Sequence, residues 1–196
     1  MTQPFIGLTG SVGAGKSEVL AALERLGAAT ISSDAIVHEL LTGDELRDAL
    51  VERWGEEVAP GGTVDRAKVA EVVFRDPDER AWLESQLHPR VGARIVEWRE
   101  GLGSDAKVAA VEVPLLFEAG MEPAFDAVIC VVAPLEIRAK RASDRGLGEV
   151  EGREAGQLPE AEKAARSDFV VTNDGTLEAL EAKLEALIPD LKSAAT

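Results

Sequence analysis

Apolar positions in this chain fall into short runs that alternate with stretches of helical spacing. Residues 5–9, 29–31, 108–113, 127–133 and 169–171 are the runs, each read as a strand. The 127–133 run is almost continuously apolar, as expected of a strand buried on both faces of a sheet. Between the runs, apolar residues recur at helical spacing. Val19, Leu20, Leu23 and Leu26 mark one face, and Leu46, Leu50, Val51 and Trp54 a second. Val69, Val72 and Val73 follow, entered through Asp65, and then Trp82, Leu83 and Leu87 behind an Asp76-Pro77 start. Pro89 is expected to interrupt that helix before Val91, Ile95 and Trp98. A helix over 135–143 and a final one bearing Leu177, Leu180, Leu184 and Leu187 complete the pattern, with Thr176 as the last cap and residues 192–196 frayed. Gly27 stops the first helix, Pro60-Gly61-Gly62 turns the 55–64 loop, and Pro114 ends the third strand. Strand–helix alternation of this kind predicts an α/β fold with a parallel sheet.

One connection is too long for that plan. The third strand begins about 70 residues after Asp34, whereas a parallel crossover needs only about a dozen. The helical patterns in between form an insert large enough to serve as a lobe for a second substrate.

The chemistry starts between the first strand and the first helix. Gly10-Ser11-Val12-Gly13-Ala14-Gly15-Lys16-Ser17 fits G-x-x-x-x-G-K-[ST], the phosphate-binding loop. Its glycines admit backbone angles that let successive N–H groups face one hollow, at a helix N-terminus that favours an anion. Lys16 reaches the β- and γ-phosphates of a nucleoside triphosphate, and the Ser17 hydroxyl suits Mg²⁺. The bulk composition narrows the partners. A net charge of −15 over 196 residues argues against a general polyanion binder such as a DNA-partitioning ATPase. A single cysteine, Cys130, sits inside an apolar run and reads as a core thiol in a reducing cytoplasm. Neither a signal peptide nor a membrane span is visible in the sequence. Neither nucleic acid nor membrane is therefore expected as a partner.

Further groups carry two readings each. Asp34 follows the second strand, at the sheet end where ligands of parallel sheets gather; it equally suits a cap for the helix over 35–41. Arg138, Lys140, Arg141 and Arg145, opposed only by Asp144, are either a solvated face or cations that close over a triphosphate. His88, Arg90 and Arg94 cluster around Pro89. Glu112 and Glu118 flank Pro114, suited to a magnesium-bound water or to plain solvation. No Asn-Lys-x-Asp segment follows a late strand, which speaks against a GTP-hydrolysing switch. A nucleotide-binding module without catalysis would not need an acid at Asp34.

In ordered blocks the chain resembles the dephospho-coenzyme A kinase family from Phe5 to about Leu187. The blocks are Gly7-Leu8-Thr9-Gly10 with the phosphate loop, Ser33-Asp34, Val64-Asp65-Arg66, Val73-Phe74 and Leu87-His88-Pro89. Val113-Pro114-Leu115-Leu116-Phe117-Glu118 is the most distinctive, followed by Arg141, Arg145, Arg153, Gln157-Leu158-Pro159 and Asp168-Phe169-Val170 to Asn173. The resemblance implies a P-loop kinase, a three-layer α/β/α fold with a five-stranded parallel sheet. Its core would be 1–42, 105–137 and 167–190, with a helical coenzyme A-binding insert at 43–104 and a lid at 138–166. It implies transfer of the γ-phosphoryl of ATP, with Mg²⁺, to the ribose 3′-hydroxyl of dephospho-coenzyme A. A nucleoside monophosphate or another small acceptor is the alternative. Gly13, Ala14, Gly15, Lys16, Ser17 and Glu18 would hold the nucleotide and metal, with Arg145 and Asn173. Asp34 would be the base, Lys16 and Arg141 would act on the triphosphate, and His88 and Leu115 would serve the acceptor. Departures from the family pattern include Glu18 where Thr is usual, Ser33 for Ala, Arg138 for Gln, and a short 145–153 segment with extra glycines.

Overall fold

In the computed structural model, residues 3–144 and 157–194 are described. The strands are β1 (Phe5–Gly10), β2 (Ala29–Ser32), β3 (Ala109–Glu112), β4 (Ala127–Val132) and β5 (Phe169–Thr172). The helices among those residues are α1 (Lys16–Arg25), α2 (Ser33–Thr42), α3 (Asp44–Trp54) and α4 (Arg66–Arg75), then α5 (Pro77–Glu100), α6 (Leu135–Asp144), α7 (Glu160–Arg166) and α8 (Leu177–Ala194). Two compact units result, Met1–Ser32 with Leu102–Thr196, and Ser33–Gly101.

The first unit is an α/β sheet unit. Its strands pair in parallel in the order β2-β3-β1-β4-β5, with Leu8 level with Glu112 on one side and Ile129 on the other. Every residue of β1 is buried, which explains its uninterrupted apolar run. Ile6, Leu8, Ile129 and Val131 pack on one face with Val19 and Leu23 of α1 and Leu180 and Leu184 of α8. On the other face α7 packs against β1 and β4. There the missing side chain of Gly7 admits Leu116 and Phe125; a Cβ would lie 2.6 Å from Leu116 Cδ1 and 2.9 Å from Phe125 Cδ2. From β1 the chain crosses to β2 on one side, and from β4 to β5 on the other. The crevice at the carboxyl ends of β1 and β4 is thus the topological switch point, where ligands of such sheets bind.

The second unit is helical. Leu41, Leu46, Leu50, Val58 and Val69 form its core, with Trp54, Trp82 and Leu87 packed around them. Trp54 meets Trp82 edge-on at 5.1 Å and donates its indole N–H to Glu79 at 2.7 Å. The helix starts follow the sequence: Asp65 caps α4 through the N–H groups of Ala67 and Lys68, and Asp76 caps α5 through Asp78. Since α2 packs on α3 and α5, it belongs to this unit.

Three local expectations fail. Pro89 does not interrupt α5, which runs from Pro77 to Glu100. Pro89 gives up only its own bond to the Ser85 carbonyl, and packing holds the helix on both sides of it, with Leu83 and Leu87 against the helical core before it and Ile95 buried after it. The chain end does not fray at Lys192, because α8 continues through Pro189 to Ala194. Burial of Ile188 and Leu191 holds the helix across the proline. Finally, Asp34 is not a helix cap. The helix begins at Ser33, placing Asp34 inside its first turn, where a negative charge complements the helix dipole.

Candidate active site

The loop after β1 is shaped by close approach. Gly13 and Gly15 have φ of 76° and 92°, a region closed to most side chains. A Cβ on Gly13 would lie 2.4 Å from the Arg138 carbonyl oxygen, and one on Gly15 would lie 2.2 Å from Asn173 Nδ2. Gly15 is also the N-cap of α1, and no side chain caps that helix. With no side-chain cap in the way, the positive end of the helix dipole faces the place an anion would take. Lys16 folds back over its own loop, donating from Nζ to the carbonyls of Gly10 at 2.9 Å and Ser11 at 3.1 Å. Ser17 is exposed one residue further on.

Helix α6 and the end of β5 reach this loop. Arg141 Nη1 donates to the carbonyls of Ala14 at 3.2 Å and Asn173 at 3.1 Å, and Nη2 donates to Asn173 Oδ1 at 3.3 Å. Asn173 is 2 % exposed; its Nδ2 donates to the Ala14 carbonyl at 3.2 Å and to Glu18 Oε2 at 2.9 Å. Glu18 Oε2 also stands 3.5 Å from Arg141 Nη2. Glu18, Arg141 and Asn173 thus meet at Ala14, while Lys16 covers the Gly10–Ser11 end of the loop. Arg138 is no part of a solvated face: it is buried, 3.5 Å from Glu160 Oε2 and within 3.5 Å of the Val12 carbonyl. Arg145 lies outside the described residues, as does the 146–156 stretch.

The acids around Pro114 are not surface groups either. Glu112 is buried at the carboxyl end of β3. Glu118 Oε1 accepts from Lys163 Nζ at 2.9 Å and from the Leu158 N–H at 2.8 Å. Burial pushes the Glu118 carboxyl up, but the Lys163 and Leu158 hydrogen bonds outweigh it and hold the group below its ordinary value. Lys163 is fully buried and also donates to the Pro114 carbonyl at 3.0 Å and Gln157 Oε1 at 3.3 Å. No sequence signal marked Lys163, because it stands in a polar, alanine-spaced helix that looks solvated throughout. Leu115, between the two acids, keeps 37 % of its surface exposed. Cys130 is buried, and its thiol is pushed up to about 11 by that burial first and by Glu160 second, which suits a core residue and not a nucleophile.

Asp34 and His88 belong to the helical unit, and both are exposed. Near His88, Arg90 pairs with Glu45 at 2.7 Å and Arg94 with Glu97 at 3.2 Å. A cavity of about 380 Å³ opens beside them, lined by Glu39, Leu40, Gly43, Arg90, Ala93 and Arg94 among others. Among the described residues, no group of three or more His, Cys, Asp or Glu is arranged to hold a metal ion, and no helix is long and apolar enough to cross a membrane.

A five-stranded parallel sheet carrying G-x-x-x-x-G-K-S at its switch point is the architecture of a P-loop kinase. The comparisons with known proteins carry this further. The family model for dephospho-CoA kinase matches residues 4–179. A dephospho-CoA kinase of Deinococcus radiodurans is 40% identical over 191 residues, covering 95% of this chain and 92% of the relative. A solved structure from Thermus thermophilus superposes with a TM-score of 0.84 at 36% identity, over 97% of this chain and 99% of the other. The dephospho-CoA kinase of Campylobacter jejuni does so with a TM-score of 0.69 at 26% identity, over 98% of each. The chain belongs to the dephospho-CoA kinase family. It is a kinase that transfers phosphate from ATP to a hydroxyl group.

Proposed function

We propose that the acceptor oxygen is the ribose 3′-hydroxyl of dephospho-coenzyme A, that the product is coenzyme A, and that the reaction runs in the cytoplasm. The observation that carries the nucleotide half is the loop itself: an uncapped α1 N-terminus, glycines at positive φ, and Lys16 beside them. Phosphoryl transfer asks a protein for positioning and for neutralisation of charge. The N–H groups of residues 13–17 would cradle the phosphates. Lys16 would exchange its loop carbonyls for phosphate oxygens as the triphosphate arrives. Arg141 adds positive charge beside Ala14, and Arg145 would add more.

Ser17 fits Mg²⁺ in the manner usual for that ion, which takes one or two protein oxygens and completes its shell with phosphate oxygens and water. Bound there, the cation would neutralise charge on the β- and γ-phosphates. Asp34 would orient the 3′-hydroxyl and accept its proton, a task for which its carboxylate is exposed. His88 and Leu115 would contact the acceptor, with the 43–104 insert as its lobe and 138–166 as the lid that excludes water. Neither nucleic acid nor membrane enters this reading.

The test is ATP turnover against a panel of acceptors: dephospho-coenzyme A, adenosine monophosphate, shikimate and gluconate. The account expects turnover with dephospho-coenzyme A at least about 10³-fold above the others, since a site that hydrogen-bonds its substrate rejects ligands that leave those groups unpaired. Preferred phosphorylation of the monophosphate would transfer the assignment to the alternative acceptor class.

A further inference from the structure

Glu18 stands in the first turn of α1, with Oε2 against Asn173 Nδ2 and Arg141 Nη2. We propose that Glu18 is a positioning residue: with Arg141 and Asn173 it forms a brace on the Ala14 carbonyl that sets the direction of the Gly15 N–H. The inference rests on the loop being the nucleotide site.

One peptide unit, Ala14–Gly15, links the brace to the nucleotide site. Ala14 is fully buried, and its carbonyl accepts from two donors, Arg141 Nη1 and Asn173 Nδ2, each at 3.2 Å. A trans peptide is planar, so its C=O and N–H point in opposite directions. Two donors on the Ala14 carbonyl therefore fix the Gly15 N–H away from α6 and β5. The second donor pair is itself held. Glu18 Oε2 accepts from Asn173 Nδ2 at 2.9 Å and stands 3.5 Å from Arg141 Nη2, so one carboxylate keeps both braces on target. The close fit of Gly15 against Asn173 Nδ2, with no room for a Cβ, keeps the amide and the loop in register. One turn earlier on α6, Arg138 reaches the Val12 carbonyl at 3.5 Å, a longer contact of the same kind. The Glu18 carboxylate carries a charge that pairs with Arg141 and so holds the loop from within α1.

Glu18 is 41 % exposed at its side chain, so its replacement is compatible with folding. The experiment titrates the intact chain with Mg²⁺ and a non-hydrolysable ATP analogue, without acceptor, comparing Glu18→Ala and Glu18→Gln with the parent. Dephospho-coenzyme A binding and the melting temperature of the free protein are recorded alongside. The brace predicts that Glu18→Ala weakens analogue binding about tenfold, leaving acceptor binding and melting temperature unchanged. Glu18→Gln, which keeps an oxygen for Asn173, restores affinity to within about threefold of the parent. Unchanged analogue binding in Glu18→Ala overturns the proposal. So does a parallel loss for both ligands with a lower melting temperature, which is the signature of general destabilisation. A Glu18→Gln variant as weak as Glu18→Ala overturns the assignment of the hold to the Asn173 hydrogen bond. Because no acceptor is needed for the nucleotide titration, its failure is separable from failure of the acceptor assignment.

Discussion

Replacing Lys163 with methionine isolates what a fully buried charge does in this fold. Methionine fills a similar volume and adapts its rotamers, so the packing of α7 on β1 and β4 survives. What disappears is the ammonium, which pairs with Glu118 and donates to the Pro114 carbonyl and Gln157. The Pro114 carbonyl keeps Thr9 Oγ1 at 3.2 Å and so remains bonded. Glu118 is the casualty: its side chain is 16 % exposed, and it would lose its one cationic partner among the described residues while keeping backbone N–H donors such as Leu158. Breaking one side of a buried ion pair costs about 3–5 kcal/mol. The residual solvent contact of Glu118 places the expected loss near the lower end, about 3 kcal/mol. For a chain of this length that corresponds to a fall in Tm of roughly 6–12 °C. Urea denaturation followed by circular dichroism measures it. Lys163→Met with Glu118→Leu, which removes both charges, should recover most of the loss. The pH dependence has a definite sign. The Glu118 carboxyl is held below its ordinary value of 4.5 in the fold, so its stabilisation is complete above that value and is lost as pH falls through the folded one. The gap between parent and Lys163→Met therefore narrows in acid. A loss under about 1 kcal/mol, or a double variant no more stable than the single, would refute the reasoning.

Three other outcomes follow from the same geometry. Asp34→Asn keeps the shape of the side chain but removes the proton acceptor, so kcat should fall about 10²- to 10⁴-fold with ATP affinity little changed; near-full turnover would exclude Asp34 as the base. Gly15→Ala forces a side chain into φ of 92° and within 2.2 Å of Asn173 Nδ2, and should raise the KM for ATP at least about tenfold. A Gly15→Ala enzyme with parental KM would mean that the loop relaxes freely. Cys130, buried with its thiol pushed up to about 11, should resist a thiol reagent at pH 8 until urea unfolds the sheet, and rapid labelling of the native chain would contradict that burial.

Sequence alone revealed the parts governed by local rules. The strands, the loop glycines and the caps Asp65, Asp76 and Thr176 stand where pattern and chemistry put them. The signal was weaker wherever tertiary packing overrides a local rule. Pro89 and Pro189 lie inside helices because packing on either side holds the helix across them, through Leu87 and Ile95 in one case and Ile188 and Leu191 in the other. Charge was the least legible property. Arg138, Glu112 and Glu118 each carried a solvated reading beside a functional one, and no pattern marked Lys163, yet all four are largely withdrawn from solvent. Asn173 was legible only through resemblance. Its contact with Ala14 bridges residues 159 positions apart, which no local pattern encodes.

The central claim concerns one oxygen atom, and two analogues of the acceptor address it directly. With ATP and Mg²⁺, the protein is offered dephospho-coenzyme A lacking the ribose 2′-hydroxyl, and separately the analogue lacking the 3′-hydroxyl. Phosphorylated product is followed by mass spectrometry. The account predicts that the 2′-deoxy analogue is phosphorylated and the 3′-deoxy analogue is not. Phosphorylation of the 3′-deoxy analogue at a rate comparable to dephospho-coenzyme A itself would contradict it.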